Sequence, residues 1–408
     1  MQCHHYLLMG IFCLLHVDVA HAFYDWQGEQ SQGNARAALR GLAIATRKPA
    51  NLTLYEERDD EAVGGIARLI VESRVGDGWL IDANLYQTWL PNSLVANENG
   101  IGTVLDVERS GTLEWSHSQD HYAHSAVDRL SLRKSIGALD LSLGRQPINL
   151  ATTFFFSPND FFAPFAAQAF YRVYKPGVDG LRSDLSFGEL TQLSLIGVQG
   201  YREDSASDSG WSDSGERARN SYVARFATNL ADMEWAVLAG KVRRTRVTGG
   251  SIAGELFAGL GLRTEGHVVQ ALDENIEDAS ELSIGFEYRW ENSLFLQVEQ
   301  FYHGRGANSV AEYATALGNE GGYLARRYQA LGLSYEFSPL LTGQMNIIQN
   351  AIDHSRLYSF NTVYSLSNES ELSLSLTLPE GESPEGLKVN SEFGSYPKVV
   401  NLELRAYF

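Results

Sequence analysis

The chain has 408 residues, with 32 Lys and Arg against 50 Asp and Glu, a formal net charge of −18. That acidic balance excludes nucleic acid as a partner, because phosphate-backbone binding needs clustered positive charge. Both cysteines, Cys3 and Cys13, lie in the first 22 residues, so the chain beyond them has no disulfide, thiolate metal site or cysteine nucleophile.

Residues 1–22 read as a cleaved signal peptide. A short apolar core, Tyr6 to Leu15, precedes Ala20-His21-Ala22, a small-x-small cleavage pattern. The run is too short to cross a bilayer as a helix. Its leading residues offer His4 and His5 where Lys or Arg is usual, and Cys13 lacks the small residues that precede a lipidated cysteine. Export into an oxidising periplasm suits a chain without further cysteine.

From residue 23 to 408 the pattern is all-β. A first strand lies near Ala35–Thr46. In "GWLIDANLY", Trp79, Ile81, Ala83 and Leu85 share one face and Asp82 and Asn84 the other. "ELSIGFEYRW" sets Leu282, Ile284, Phe286, Tyr288 and Trp290 against Glu281, Ser283, Glu287 and Arg289. "ELSLSLTL" places Leu372, Leu374, Leu376 and Leu378 opposite Glu371, Ser373, Ser375 and Thr377. Alternation of this kind is a strand signal, not a helical one.

Seven tight turns link the strands, at Gly76-Asp77-Gly78, Gly137, Gly188-Glu189, Ala231-Asp232, Glu291-Asn292, Ser338-Pro339 and Asn368-Glu369. Between hairpins the connections are longer: 47–62, 91–120, 147–177, 202–218, 246–280, 304–326 and 380–397. Short turns at one end and long loops at the other describe a transmembrane antiparallel β-barrel, with short periplasmic turns and long extracellular loops. A soluble sandwich has no reason for uneven ends, and a β-helix would show a short repeat. Seven hairpins plus a first and a last strand predict sixteen strands. Phe257–Arg263 with His267–Leu272 offers one more hairpin, and eighteen as the alternative.

In the last strand, "KVVNLELRAYF", Val400, Leu402, Leu404, Ala406 and Phe408 share a face and the strand ends on the aromatic. This resembles the signal by which the barrel assembly machinery recognises its clients, although Ala406 stands where Tyr is usual. The opposite faces of the strands carry charges of both signs, among them Arg68, Asp82, Arg133, Glu299, Glu403 and Arg405. These line a lumen wide enough for water and pair across strands; the net acidity implies only a mild cation preference. In "MEWAVLAGKVRRTR", Lys241 and Arg243 share parity with Trp235 and Val237. They are expected on the lipid-facing side near the long-loop end, either on lipopolysaccharide phosphates or as a solvated strand end.

Residues 147–177 lack any strand or helix period yet hold nine aromatics, Phe154, Phe155, Phe156, Phe161, Phe162, Phe165, Phe170, Tyr171 and Tyr174. Exposed to water, such a loop would be an aggregation liability. It is expected to fold into the lumen, stiffened by Pro158, Pro164 and Pro176, and to narrow the pore. The aromatics either plug the barrel inertly or stack an organic solute. Phe155 and Phe162 with Arg145, Asp160, Arg172, Lys175, Asp179 and Arg182 are the candidate constriction and solute contacts.

"GRQPINL", "SPNDFFAPF" and "YKPGVDGLR", in this order between Gly144 and Arg182, resemble bacterial outer-membrane porin-like barrels that carry a G-R-Q strand end and an S-P-x-D-x-F loop. The resemblance implies a channel with an inward loop for small solutes or ions, with no cofactor, and names no cargo. Its rival is a barrel that sheathes or anchors a partner, such as a cytochrome in an electron conduit. No C-x-x-C-H haem motif occurs, so any haem would be the partner's. Expected partners are outer-membrane lipid and lipopolysaccharide, the assembly machinery, and either further copies of the chain or a periplasmic or surface protein. No G-x-S-x-G elbow suggests an enzyme. His117, His121, His124 and Asp120 fit neither one strand face nor a helix, and read as a polar loop rather than a metal site.

Overall fold

The computed structural model describes residues 24–51, 53, 55, 57–91, 107–116, 121–204, 207, 210–274, 276–317 and 322–408. The signal segment 1–22 lies outside them, as do His117 and Asp120. Strands in the first half are β1 (Tyr24–Gln27), β2 (Ser31–Arg47), β3 (Asp59–Val75), β4 (Trp79–Pro91), β5 (Glu114–Ser116), β6 (His121–Ile136), β7 (Leu139–Gln146), β8 (Val178–Phe187) and β9 (Thr191–Val198). Next come β10 (Tyr201–Glu203), β11 (Trp211–Gly215), β12 (Ser221–Leu230), β13 (Met233–Val242), β14 (Thr245–Phe257), β15 (Leu260–Ala271) and β16 (Ala279–Arg289). The last six are β17 (Phe295–His303), β18 (Arg327–Ser338), β19 (Leu341–Asn350), β20 (Arg356–Ser367), β21 (Ser370–Glu380) and β22 (Lys398–Tyr407).

All but β1, β5, β10 and β11 form one antiparallel ring in chain order, which closes where β22 pairs with Ala38–Arg47 of β2. Closure leaves no open edge, so the ladder itself satisfies the backbone groups that lipid could not. Beyond the end of β22, Phe408 and Ala37 exchange backbone hydrogen bonds of 2.8 and 2.9 Å, and β1 continues the seam along Gln32–Ala35.

The ring has eighteen strands, the alternative count rather than sixteen. The added hairpin is β14–β15, which turns at Ala258-Gly259 inside what reads in the sequence as the long connection 246–280. The hairpin offered from Phe257 to Leu272 sets that turn too late. The outward positions of β14 and β15 carry Thr248, Gly250, Gly254, Thr264 and Gly266, so the period-2 contrast that marks the other strands fades here.

Outward side chains form an exposed apolar belt, including Leu69, Ile81, Leu143, Leu181, Val237, Leu282, Phe286 and Leu374. Their neighbours Asp82, Ser283 and Ser373 point inward and are buried. This inside-out arrangement is that of a membrane barrel. On the lumen side, wall charges pair across strands: Arg68 with Asp128 at 2.7 Å, Arg133 with Asp82 at 2.8 Å, Arg263 with Glu287 at 2.9 Å, and Arg40 with Glu403, which also binds Arg405 two residues along its own strand.

Candidate functional site in the barrel lumen

Residues 147–177 leave β7, cross the interior and return as β8. An irregular loop carries backbone N–H groups that need acceptors once buried. Two wall carboxylates supply them. Glu265 of β15, 1% exposed, accepts from the N–H groups of Thr152, Thr153 and Asn159. Glu299 of β17 accepts from Phe154, Phe155 and Phe156 at 3.0, 3.1 and 2.6 Å, and from the Ser283 hydroxyl at 2.8 Å. With their oxygens filled by these donors, both carboxyl groups are satisfied in a buried site.

The aromatics then pack in two groups. Ile148, Leu150 and Phe162 meet inward residues of β9 and β12–β14: Ile196, Val198, Val223, Leu238, Val242 and Val247. Phe155 and Phe156 meet Phe301, Tyr328, Ala330, Ile348, Leu357 and Phe393. The Phe156 ring stacks on Phe301 with centroids 4.8 Å apart and planes 9° apart.

Polar side chains fix the loop from within. Arg172 donates to the carbonyls of Ala169 (2.9 Å), Ala167 (3.0 Å), Ala166 and Phe154, and lies over the Phe154 ring. Lys175 ion-pairs with Asp160 and donates to the Ala163 carbonyl at 2.8 Å. Burial raises the Asp160 carboxyl and lowers the Lys175 ammonium from their usual values, while each pulls the other back toward its charged form. The Asp160 N–H also closes a turn on the Ser157 carbonyl at 3.0 Å.

The loop's far side meets the charged wall. Tyr171 lies between Arg40 and Arg405, whose guanidinium carbons are 4.1 and 4.4 Å from its ring centroid. Tyr174 faces Arg68 at 4.3 Å, and Arg129 donates to the Lys175 carbonyl at 3.0 Å. Cation–π contacts of this kind are worth about 0.5–2 kcal/mol each. Above the loop is a vestibule of about 690 Å³, lined by Pro158, Phe161, Phe165, His267, Arg305 and Tyr323 among others. Val173 of the loop is 59% exposed.

A second knot secures the base of the loop. Leu143 faces outward, so simple alternation would send Arg145 outward as well. Gly144, at φ +115°, redirects the strand end, and a Cβ there would lie 2.3 Å from the Leu130 carbonyl oxygen. Opposite it, the bulge between Asn84 and Leu85 of β4 and Arg129 and Val127 of β6 leaves Asp128 as an extra inward residue. Arg145, 2% exposed, grips both Asp179 oxygens at 2.8 and 3.0 Å and donates to the carbonyls of Val127 and Ser110. Arg109 reaches Asp128 at 2.8 Å and Glu114 at 2.5 Å. Glu108 binds Arg219 and Arg243 at 3.0 and 2.9 Å.

The candidate residues therefore separate. Arg145, Phe155, Asp160, Phe162 and Lys175 are buried and hold the loop; Asp179 serves the basal knot. Arg172 staples the loop to itself. Arg182 pairs with Asp184 at 2.7 Å along the half-buried wall of β8. Lys241 donates to the Ala218 and Asn220 carbonyls at 2.7 and 2.9 Å. Arg243 falls in the two-residue turn after β13 at φ 49°, and its guanidinium turns to Glu108. His124 is buried with Nε2 3.5 Å from a Glu114 oxygen. Among the described residues no cluster of three or more His, Cys, Asp and Glu is placed to hold a metal. Sequence reasoning misses Glu265, because the hairpin offered there sets its turn at that residue, and Glu108 and Arg109, whose buried pairs are set by distant segments.

No family model matches the sequence, and no curated protein matches it. Solved structures do match the fold. OccAB1 of Acinetobacter baumannii is 11% identical, with 94% of this chain and 99% of that one covered at a TM-score of 0.58. OccK9 (OpdG) of Pseudomonas aeruginosa is 12% identical, with 93% and 98% covered at 0.59. OpdK of the same species, solved with vanillate, is 12% identical, with 92% and 98% covered at 0.52. The fold is that of the outer-membrane porin-like barrels.

Proposed function

We propose that this protein is a channel for small solutes in the outer membrane, with its bore set by loop 147–177. The observation that carries the reading is the loop's double attachment: six of its N–H groups are held by Glu265 and Glu299, while Tyr171 and Tyr174 rest on arginines of the facing wall. A constriction needs this rigidity to select by size. The same loop occupies the volume that a sheathed cytochrome would require, which favours a channel over a sheath. The loop's paired charges and tightly packed rings support a passage rather than an enzyme.

OpdK is known with vanillate, a small aromatic carboxylate. A solute of that size, with a carboxylate able to meet the arginines of the charged wall, is the first to test here. The test is planar-bilayer conductance and solute uptake into vesicles, comparing the parent with a variant lacking residues 151–174. Deletion should leave a folded barrel and raise conductance several-fold, the order expected when a wide barrel loses its constriction. Equal conductance would remove the loop from this role.

A further inference from the structure

The added hairpin β14–β15 also shapes the outer surface. Arg243 turns inward, but Arg246, just past the turn, points outward and is exposed. It is the direct cross-strand partner of Lys241, whose ammonium keeps one N–H beyond the two it gives to the Ala218 and Asn220 carbonyls, so two cations lie on neighbouring strands of the outer face. Their height is set by the strand. From Arg246 to Leu256, the last outward residue of β14, a tilted strand rises about 25 Å, the thickness of a barrel's apolar band. The pair therefore sits at the outer rim of the belt, where lipid phosphates lie.

Below it the belt is grooved. Thr248 and Gly250 of β14 and Thr264 and Gly266 of β15 form the floor of a depression of about 1080 Å³, with Trp235 and Leu282 among its walls. A neighbouring depression, sharing Thr248, runs up to Arg246. Asp278 lines its other side, with one carboxylate oxygen accepting the Ala271 N–H at 2.8 Å. Two cations on neighbouring strands, joined through a polar-lined depression to an apolar slot, match a phosphorylated lipid, with its headgroup on the cations and an acyl chain laid along the slot.

We propose that this groove binds one phosphorylated acyl lipid of the outer leaflet through Lys241 and Arg246. The site lies outside the lumen and is independent of the channel reading.

The test uses the full barrel purified in detergent, with bis-phosphorylated lipid A as the probe. Dephosphorylated lipid A and inorganic phosphate are the controls, and retained lipid is counted by native mass spectrometry. The double variant Lys241→Gln/Arg246→Gln should weaken lipid A binding on the order of tenfold. Thr248→Trp, which fills the slot and leaves the cations, should weaken both lipids. Conductance should stay at the parent value in both variants, which shows that the barrel has folded. Inorganic phosphate alone should not compete. The proposal is overturned if the double variant binds lipid A as the parent does, if phosphate displaces the lipid, or if the groove is instead closed by a second copy in a lipid-independent dimer.

Discussion

The two halves of the barrel interior are built differently. Along β9, β12–β14 and β17–β20 the inward positions include Ile196, Val223, Leu238, Val247, Phe301, Ile348 and Leu357, all buried. Along β2–β6 and β22 they include Arg40, Arg68, Asp82, Arg133, Glu403 and Arg405, paired with one another or with neighbours. The apolar half is the part that the phenylalanine side of the loop covers; the tyrosine side faces the charged half. Inward positions in a membrane barrel turn apolar where a loop removes them from water. A strand apolar on both faces is thus a sign of a luminal loop docked against it.

The strongest way to break this contrast is to remove the loop's anchors on the apolar half. Glu265→Ala/Glu299→Ala leaves six loop N–H groups without acceptors, at about 1–3 kcal/mol for each that is buried. The loop should undock and conductance should rise several-fold, while heat-modifiability on a gel shows an intact barrel. A closed, unchanged channel would show that packing alone holds the loop. Phe156→Ala should act in the same direction with less force. Losing a buried ring costs about 3–5 kcal/mol, so hydrogen exchange in 151–166 should speed up before conductance changes fully. Tyr171→Ala, on the charged half, should affect docking least. It removes contacts worth about 1–4 kcal/mol in total and should raise conductance by less than the anchor variant, with exchange in 151–166 unchanged.

Much of this was legible in the sequence where one face met lipid and the other met water. The turns at Gly76-Asp77-Gly78 and Ala231-Asp232, the outward Leu282, Ile284 and Phe286, and the inward Glu403 and Arg405 all follow from alternation and turn chemistry. Alternation faded at β14 and β15, where glycine and threonine replace apolar side chains outward, so eighteen strands stood only as the alternative to sixteen. The aromatic density of 154–174 marks a segment that needs cover, but the pattern cannot say which wall covers it. Arg145 and Arg243 show a second limit. A positive φ at Gly144 and the turn at Arg243 each redirect a side chain from the face that parity assigns, and parity counts only regular strand.

The smallest expected effect concerns a charge on the apolar half. Glu403 has Arg40 and Arg405, whereas Glu392, in the roof loop between β21 and β22, is bound by neutral donors. These are the Tyr328 hydroxyl at 2.5 Å, the Asn350 amide at 2.7 Å and the Leu324 N–H at 3.2 Å. Burial pushes the Glu392 carboxyl from 4.5 up to about 7, against the pull of these donors. With the folded value raised, the docked loop binds more protons than the undocked one between those limits. Docking is therefore firmest below pH 4.5, weakens as pH rises, and has lost this contribution above about 7. Hydrogen exchange around Phe393 and Tyr396, corrected for the intrinsic rate, should report more opening at pH 8 than at pH 5. Glu392→Gln, which keeps an acceptor and cannot ionise, should flatten the difference. If the variant and the parent respond to pH alike, the roof is held by Phe393 and its ring contacts, and the neutral donors around Glu392 add nothing that ionisation can remove.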